Sequence, residues 1–333
     1  MTPLVVAMGD PAGVGPETIA KAWAQRTEHG LSPFVAIGDP RAIAVVWDGP
    51  IAEIGDLAEV ARTFADALPV LPILAAAAIL PGRPDADGAR CALQALEAAT
   101  GLARSGAARA LVTAPVGKTQ LYDIGFTYPG QTEFVAERCG VSRENAVMML
   151  AGPSLRVVPI TTHVPLAAVP GLLTVELIVA KAQVTVRGLK RNFGIAQPRL
   201  AFAGLNPHAG ESGALGREEI EMIEPAIAQL RDEGIDVEGP LAADTMFHPR
   251  ARARYDAAIC CYHDQALVPL KTLHFDEGVN MTLGLPIVRT SPDHGTAFGI
   301  AGQDKAHPGA MIAAIAMADM AATNRQRYAA ACR

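Results

Sequence analysis

Residues 4–23 read LVVAMGDPAGVGPETIAKAW. An apolar run from Leu4 to Met8 stops at Gly9, a loop carries Gly13 and Gly15, and a helical pattern follows over Thr18–Trp23. Strand, glycine loop and helix is the arrangement in which α/β enzymes hold phosphates. The spacing decides against that use here. The dinucleotide fingerprint needs a glycine at position 18, which is Thr18, and a phosphate loop of the Walker type needs a lysine after its last glycine, where Pro16 stands. Pro16 suits the first turn of a helix, and Glu17 complements the positive helix end. Read locally, the stretch is a tight strand-to-helix turn.

The same alternation continues along the chain and predicts a largely parallel or mixed sheet covered by helices. Expected strands are Leu4–Met8, Phe34–Gly38, Ala110–Thr113, Leu155–Thr161, Arg199–Ala203 and Ala257–Tyr262. Expected helices are Thr18–Trp23, Ala89–Ser105, Thr132–Cys139, Val175–Phe193, Arg217–Asp232 and Ala310–Ala322. The stretch Ala78 to Gly88, rich in Pro and Asp, is the best loop or hinge candidate. At 333 residues, half of them apolar, the chain suits one large α/β unit or two joined domains. A net charge of -6 with no long basic run argues against nucleic acid as a partner. Five cysteines without a Cys-x-x-Cys pair fit reduced thiols. The run Leu68–Leu80 contains Pro72 and is too short to span a bilayer, so the expectation is a soluble, cytoplasmic chain with no membrane partner.

Three histidines share one setting. LRVVPITTH ends in His163, PRLAFAGLNPH in His208 and DAAICCYH in His263, each just beyond an apolar strand. Ligand sites in α/β sheets form past the carboxyl ends of strands. Three imidazoles there suit a divalent metal with positions left open for substrate or water. Asp264 follows His263 and is placed to orient its ring or touch the metal. His29, His248 and His274 lack this setting. A second set is cationic and polar: Lys271, Asn280 and Arg289 together suit a phosphate or carboxylate, with Lys118 of TAPVGK as a further anion candidate. Residues 291–315 read as a turn-rich loop leading into a helix.

The order of GDPAGVGPE, TAPVGK, GQTEF, TTHVPL, GLNPHAGE, ADTMFHP, YHDQALVPLK, GVNMTLGLPIVRTSPDHGTAF and AGQDKA resembles, over essentially the whole chain, the 4-hydroxythreonine-4-phosphate dehydrogenase family of pyridoxal 5′-phosphate biosynthesis. GDPAGVGPE and HGTAFGIAGQDKAHP are similar to the GDGIGPE-like turn and the cofactor loop of the wider isocitrate and isopropylmalate dehydrogenase group. The resemblance implies a three-layer α/β/α fold of two subdomains with a cleft between them. The first would be residues 1–125 plus 285–333, on the cofactor-loop side. The second would be 126–284, carrying metal, substrate and dimer functions. It implies further that His163, His208 and His263 bind a divalent metal (zinc, magnesium or cobalt) with ligands drawn from both chains of a homodimer. Gln131, Thr132, Lys271, Asn280 and Arg289 would occupy substrate positions. The loop His294 to His307, with Gly295, Thr296 and Ala297, would carry the adenosine half of NAD, with NADP the other choice.

Two departures stand out. Gln131 replaces the usual histidine of GHTEF, and an amide cannot carry a proton in catalysis. Phe298 and Gly299 stand where relatives often have an acidic residue. The implied reaction is metal-assisted oxidation of a phosphorylated hydroxy-amino acid, 4-phosphooxy-L-threonine, at C3, followed by decarboxylation. Asp244 and Asp264 are the candidate bases. A dehydrogenase of a four-carbon sugar-acid phosphate, threonate or erythronate 4-phosphate, is the alternative within the class, and a metal-dependent hydrolase the alternative outside it.

Overall fold

The structure, a computed structural model, describes residues 2–331, so Cys332 lies outside the described residues. Its strands in chain order are β1 (Leu4–Ala7), β2 (Phe34–Gly38), β3 (Ile51–Glu53), β4 (Leu68–Pro72), β5 (Leu111–Thr113) and β6 (Val147–Gly152). They continue with β7 (Leu155–Pro159), β8 (Arg199–Ala203), β9 (Asp236–Leu241), β10 (Ala257–Cys260), β11 (Val279–Leu283) and β12 (Arg289–Pro292). The chain divides into two compact units, Met1–Gly140 with Leu285–Thr323, and Val141–Gly284 with Asn324–Arg333. Residues 126–140 thus go with the first unit. Phe134 of the helix Gln131–Arg138 packs on Phe126 and Tyr128, and Arg138 pairs with Glu97 at 2.9 Å. Residues 324–333 go with the second, where Asn324 and Arg325 hydrogen-bond Asn192.

In the first unit the strand order is β3-β4-β2-β1-β5-β12, all parallel. Every residue of β1 and β2 is buried, as strands with helices on both faces require. The chain leaves β1 for β2 on one side and later returns as β5 on the other. The carboxyl ends of β1 and β5 therefore flank a topological switch point, the usual place for a ligand crevice. The loops there are GDPAGVG and TAPVGK. The helix Ala86–Arg104 starts before Ala89 because Asp85 caps it, accepting from the Gly88 amide at 2.7 Å.

In the second unit the order is β11-β6-β7-β10-β8-β9. β11 and β7 run antiparallel to β6, and β7, β10, β8 and β9 are mutually parallel, so this sheet is mixed. The helix Val175–Phe193 has Thr174 as its N-cap and a left-handed Gly194 at its end. The expected helix 217–232 is two pieces, a π-helical segment Glu219–Ile223 and the α-helix Glu224–Asp232. Pro225 lacks an N–H, which breaks the ladder where the two meet. No single helix among the described residues is long and apolar enough to cross a membrane. Leu166–Leu172 and Val175–Phe193 pass only as a pair bent by 94°, and the longer helix buries Ile178, Ala182 and Leu189.

Asp10 shows the cost of the opening loop. It is 1% exposed and accepts the Ala12 amide at 3.0 Å. Burial holds its carboxyl above the ordinary value of 3.8, and the Ala12 and Gly117 amides offset only part of this. The folded chain therefore binds that proton more tightly than the unfolded chain. The resulting stability is complete below 3.8 and is lost as pH rises through the folded value. Asp10→Asn is expected to raise the melting temperature at neutral pH by about 2 °C, the scale of roughly 1 kcal/mol in a unit of this size. Calorimetry should show the gain fading toward acid, where the wild-type carboxyl is already neutral.

Candidate active site

The three histidine-bearing strands, β7, β10 and β8, are neighbours in the second unit, so His163, His208 and His263 leave the same edge of one sheet. Local bonds align two of them. Thr161 donates its hydroxyl to the Cys261 carbonyl at 2.8 Å, and Gln265 accepts the Cys261 amide at 2.7 Å while donating to the Gly204 carbonyl at 2.8 Å. The His163 and His263 rings then lie 5.6 Å apart, centroid to centroid. Asp264 Oδ1 sits 2.7 Å from His263 Nδ1, which leaves Nε2 as the free lone pair when Nδ1 carries the proton. Burial, with the Glu219 charge behind it, pushes the Cys261 thiol up to about 12, so it stays a neutral group directed at the Ala203 carbonyl rather than a thiolate ligand.

His208 lies in a different kind of turn. His208, Ala209, Glu211 and Ser212 all have positive φ, between 44° and 55°, and His163 shares this at 52°. Left-handed backbone costs non-glycine residues about 1–2 kcal/mol each and is retained where surroundings enforce it. Among the described residues, no three His, Cys, Asp or Glu side chains gather closely enough within one chain to hold a metal ion. Of the three histidines, the ring contact is the one between His163 and His263. Asp244 is exposed in the turn Ala243–Thr245. Asn280, on β11, has a buried Oδ1 without a hydrogen-bond partner, and Lys271 lies half-buried in the helix His263–His274.

In the first unit, Arg289 is 3% exposed at the start of β12. It donates to Thr113 Oγ1 at 2.7 Å and Thr132 Oγ1 at 3.1 Å. Gln131 opens the helix Gln131–Arg138 and donates its amide to the Ala114 carbonyl at 3.1 Å, a bond that needs a donor and no titratable proton. Lys118 is exposed at the start of the helix Lys118–Asp123.

The loop 294–307 lies against the opening glycine turn. The Val14 amide donates to the Thr296 carbonyl at 3.0 Å, and a Cβ on Gly13 would come within 3.0 Å of that oxygen. Glu17, 1% exposed, accepts the Ala306 amide at 2.9 Å and Lys21 Nζ at 2.8 Å; Lys21 in turn pairs with Asp304 at 2.8 Å. Glu17 thus fastens the second motif to the first, beyond the dipole role its position in the sequence suggests. Ala297 has φ 44°, Gly295 is exposed, and the amide of Gly309 donates to His307 Nδ1 at 3.2 Å. His294 keeps a buried Nε2 without a partner. His294 Nδ1 lies 2.9 Å from the Gly295 carbonyl and donates to it, so the unpartnered Nε2 is an acceptor. A loop anchored by its backbone, with an exposed glycine and that acceptor, suits a ligand carrying a hydroxyl or amine donor.

Largely parallel strands covered by helices, with histidines past one set of strand ends and a buried arginine on β12, fit a three-layer α/β/α protein of the isopropylmalate dehydrogenase-like fold. Isocitrate dehydrogenase from Methylococcus capsulatus shares that fold, with a TM-score of 0.50 and 14% identity over 99% of this chain and 88% of that one. The profile of the pyridoxal phosphate biosynthetic protein PdxA matches residues 31–318. A 4-hydroxythreonine-4-phosphate dehydrogenase from Zymomonas mobilis subsp. mobilis is 58% identical over 99% of this chain and 98% of its own length. The crystal structure of a 4-hydroxythreonine-4-phosphate dehydrogenase from Klebsiella pneumoniae superposes with a TM-score of 0.87 at 36% identity, over 97% of this chain and all of that one. The chain belongs to the PdxA family of pyridoxal phosphate biosynthesis and is an oxidoreductase, with a nicotinamide cofactor implied by that class.

Proposed function

We propose that this chain oxidises 4-phosphooxy-L-threonine at C3 to 2-amino-3-oxo-4-(phosphooxy)butanoate, which loses CO2 to give 3-amino-2-oxopropyl phosphate. The His163–His263 pair, set at one sheet edge in a chain of this family, is the observation that carries the reading. A divalent ion (zinc, magnesium or cobalt) held by His163, His208 and His263 would supply Lewis acidity at the C3 oxygen. NAD, or NADP, would take the hydride leaving C3, with the loop His294–His307 holding its adenosine half. Asp264 fixes the His263 ring. Arg289, steadied by Thr113 and Thr132, binds the substrate phosphate, and Lys271 adds charge. Asn280 Oδ1 accepts only, so it suits the substrate's ammonium group. Gln131 anchors its helix near the substrate without handling a proton. Of the two acids, Asp264 is engaged by His263, and Asp244 is the one free to meet the hydroxyl proton.

The chain works as a homodimer in the cytoplasm, each metal site drawing histidines from both copies. Support comes from the His163–His263 contact, which supplies two of the three proposed ligands, with no three-ligand group among the described residues of one chain. Exposed Val268, Leu273 and Phe275, on and just after the helix that carries His263, offer apolar surface for a second copy. Purified protein with divalent metal and NAD should produce NADH from 4-phosphooxy-L-threonine. NADH from threonate or erythronate 4-phosphate alone would move the substrate to a sugar acid. Phosphate release without NADH would replace the dehydrogenase reading with a hydrolase.

A further inference from the structure

The left-handed turn that carries His208 is wrapped around one buried carboxylate. Glu219, 1% exposed, accepts the Asn206 amide at 2.8 Å on one oxygen and Asn206 Nδ2 at 3.0 Å on the other. The remaining Nδ2 hydrogen goes to Glu218 at 2.7 Å. Asn206 also ties the turn together from inside, its carbonyl accepting the Ala209 amide at 3.1 Å. Gly210, at φ +80°, passes so close that a Cβ there would stand 2.6 Å from the Glu219 carboxylate. Glu219 opens the π-helical segment Glu219–Ile223, a rare geometry found frequently at functional positions.

We infer that Glu219 is the positioning residue of His208, holding the turn 206–212 in the left-handed form that presents this imidazole. The inference rests on the reading of His208 as a metal ligand. A backbone with four non-glycine residues at positive φ relaxes unless something bonded to it in that form opposes relaxation. The carboxylate does so through both hydrogen bonds to Asn206, two residues before the ligand. Glutamine has the same shape and one acceptor fewer. Its NH2 group would face the NH2 group of Asn206, and turning Asn206 over would forfeit Glu218.

The test is equilibrium binding of Co²⁺ to the full-length protein, read from the ligand-field absorption and without turnover. Binding of NADH is followed beside it. Glu219→Gln should weaken Co²⁺ by about 10- to 100-fold, the usual effect of losing a group that orients a ligand. NADH affinity should hold, and Glu219→Asp should recover part of the loss. Gly210→Ala, which pushes on the same carboxylate from the loop side, should reproduce the weakening. Wild-type Co²⁺ affinity in folded Glu219→Gln and Gly210→Ala overturns the inference. So does failure of both variants to fold, since Glu219 would then be holding the unit rather than the ligand. His208→Ala separates the two levels. If it leaves Co²⁺ binding intact, the metal reading itself has failed; if it loses Co²⁺ while Glu219→Gln does not, only the positioning role has.

Discussion

Replacing Arg289 by lysine is expected to raise KM for the phosphorylated substrate by about 30-fold or more, since losing a buried charged hydrogen-bonded contact costs about 2–5 kcal/mol. The guanidinium is enclosed, and two threonine hydroxyls fix its plane. Burial lowers its pKa to about 10, with Glu133 acting the other way, so it is still charged at neutral pH. Lysine supplies a single point charge that cannot reach both hydroxyls and a phosphate in one plane. Under the same burial it also gives up its proton more readily. Arg289→Met should separate binding from folding. A cation with a lowered folded pKa binds its proton less tightly folded than unfolded, so its desolvation cost is complete below about 10 and eases as pH rises through that value. The methionine variant is therefore expected to melt no lower than wild type at neutral pH while losing substrate affinity. KM and kcat measured beside a melting curve check both halves. An unchanged KM in either variant would remove Arg289 from the substrate site.

Much of this arrangement was legible before any coordinates. Phe34–Gly38, Arg199–Ala203 and Val175–Phe193 were readable to the residue, because an apolar strand, an apolar strand opened by a charged residue and a capped amphipathic helix carry their own boundaries. The histidines past β7, β8 and β10 were legible for the same reason, each being the first histidine after an apolar run ends. Other elements were not. β9 (DVEGPL) and β12 (RTSP) are short and polar or broken by Gly and Pro, and periodicity has nothing to grip. The helix His263–His274 contains Pro269, which reads as a stop. The left-handed turn at His208 leaves little trace in LNPHAGES, since positive φ at His, Ala, Glu and Ser is imposed by Asn206 and Glu219 rather than by local preference. Glu17 shows the same limit. Its place after Pro16 announced a helix start, yet its partner Ala306 lies 289 residues away. Contacts closed by the fold, and not by neighbours in the chain, are what a single sequence hides.

Mixing two inactive variants should restore activity. His208→Ala and His263→Ala are each expected to fold and to show no measurable turnover, because on the proposed reading each removes one metal ligand from every site. Suppose that the ligand set of one site takes His208 from one copy and His263 from the other. A hybrid dimer of the two variants then has one site lacking both histidines and one site lacking neither. Random exchange makes about half of all dimers hybrid, each with one intact site of two, so recovery should reach about a quarter of wild-type activity. If all three histidines of a site came from the same chain, every chain in the mixture would lack one, and no mixture could recover. Recovery is the expected result on the proposed reading, in which the His163–His263 pair of one chain is completed by His208 of the other. The measurement needs subunit exchange, by dilution and reconcentration or by co-expression with two tags, followed by turnover and Co²⁺ binding of the isolated hybrid. Turnover in the hybrid with one Co²⁺ per dimer would establish the shared site. A hybrid that neither binds Co²⁺ nor turns over would place His208 and His263 of a site on the same chain and overturn this division of the ligands.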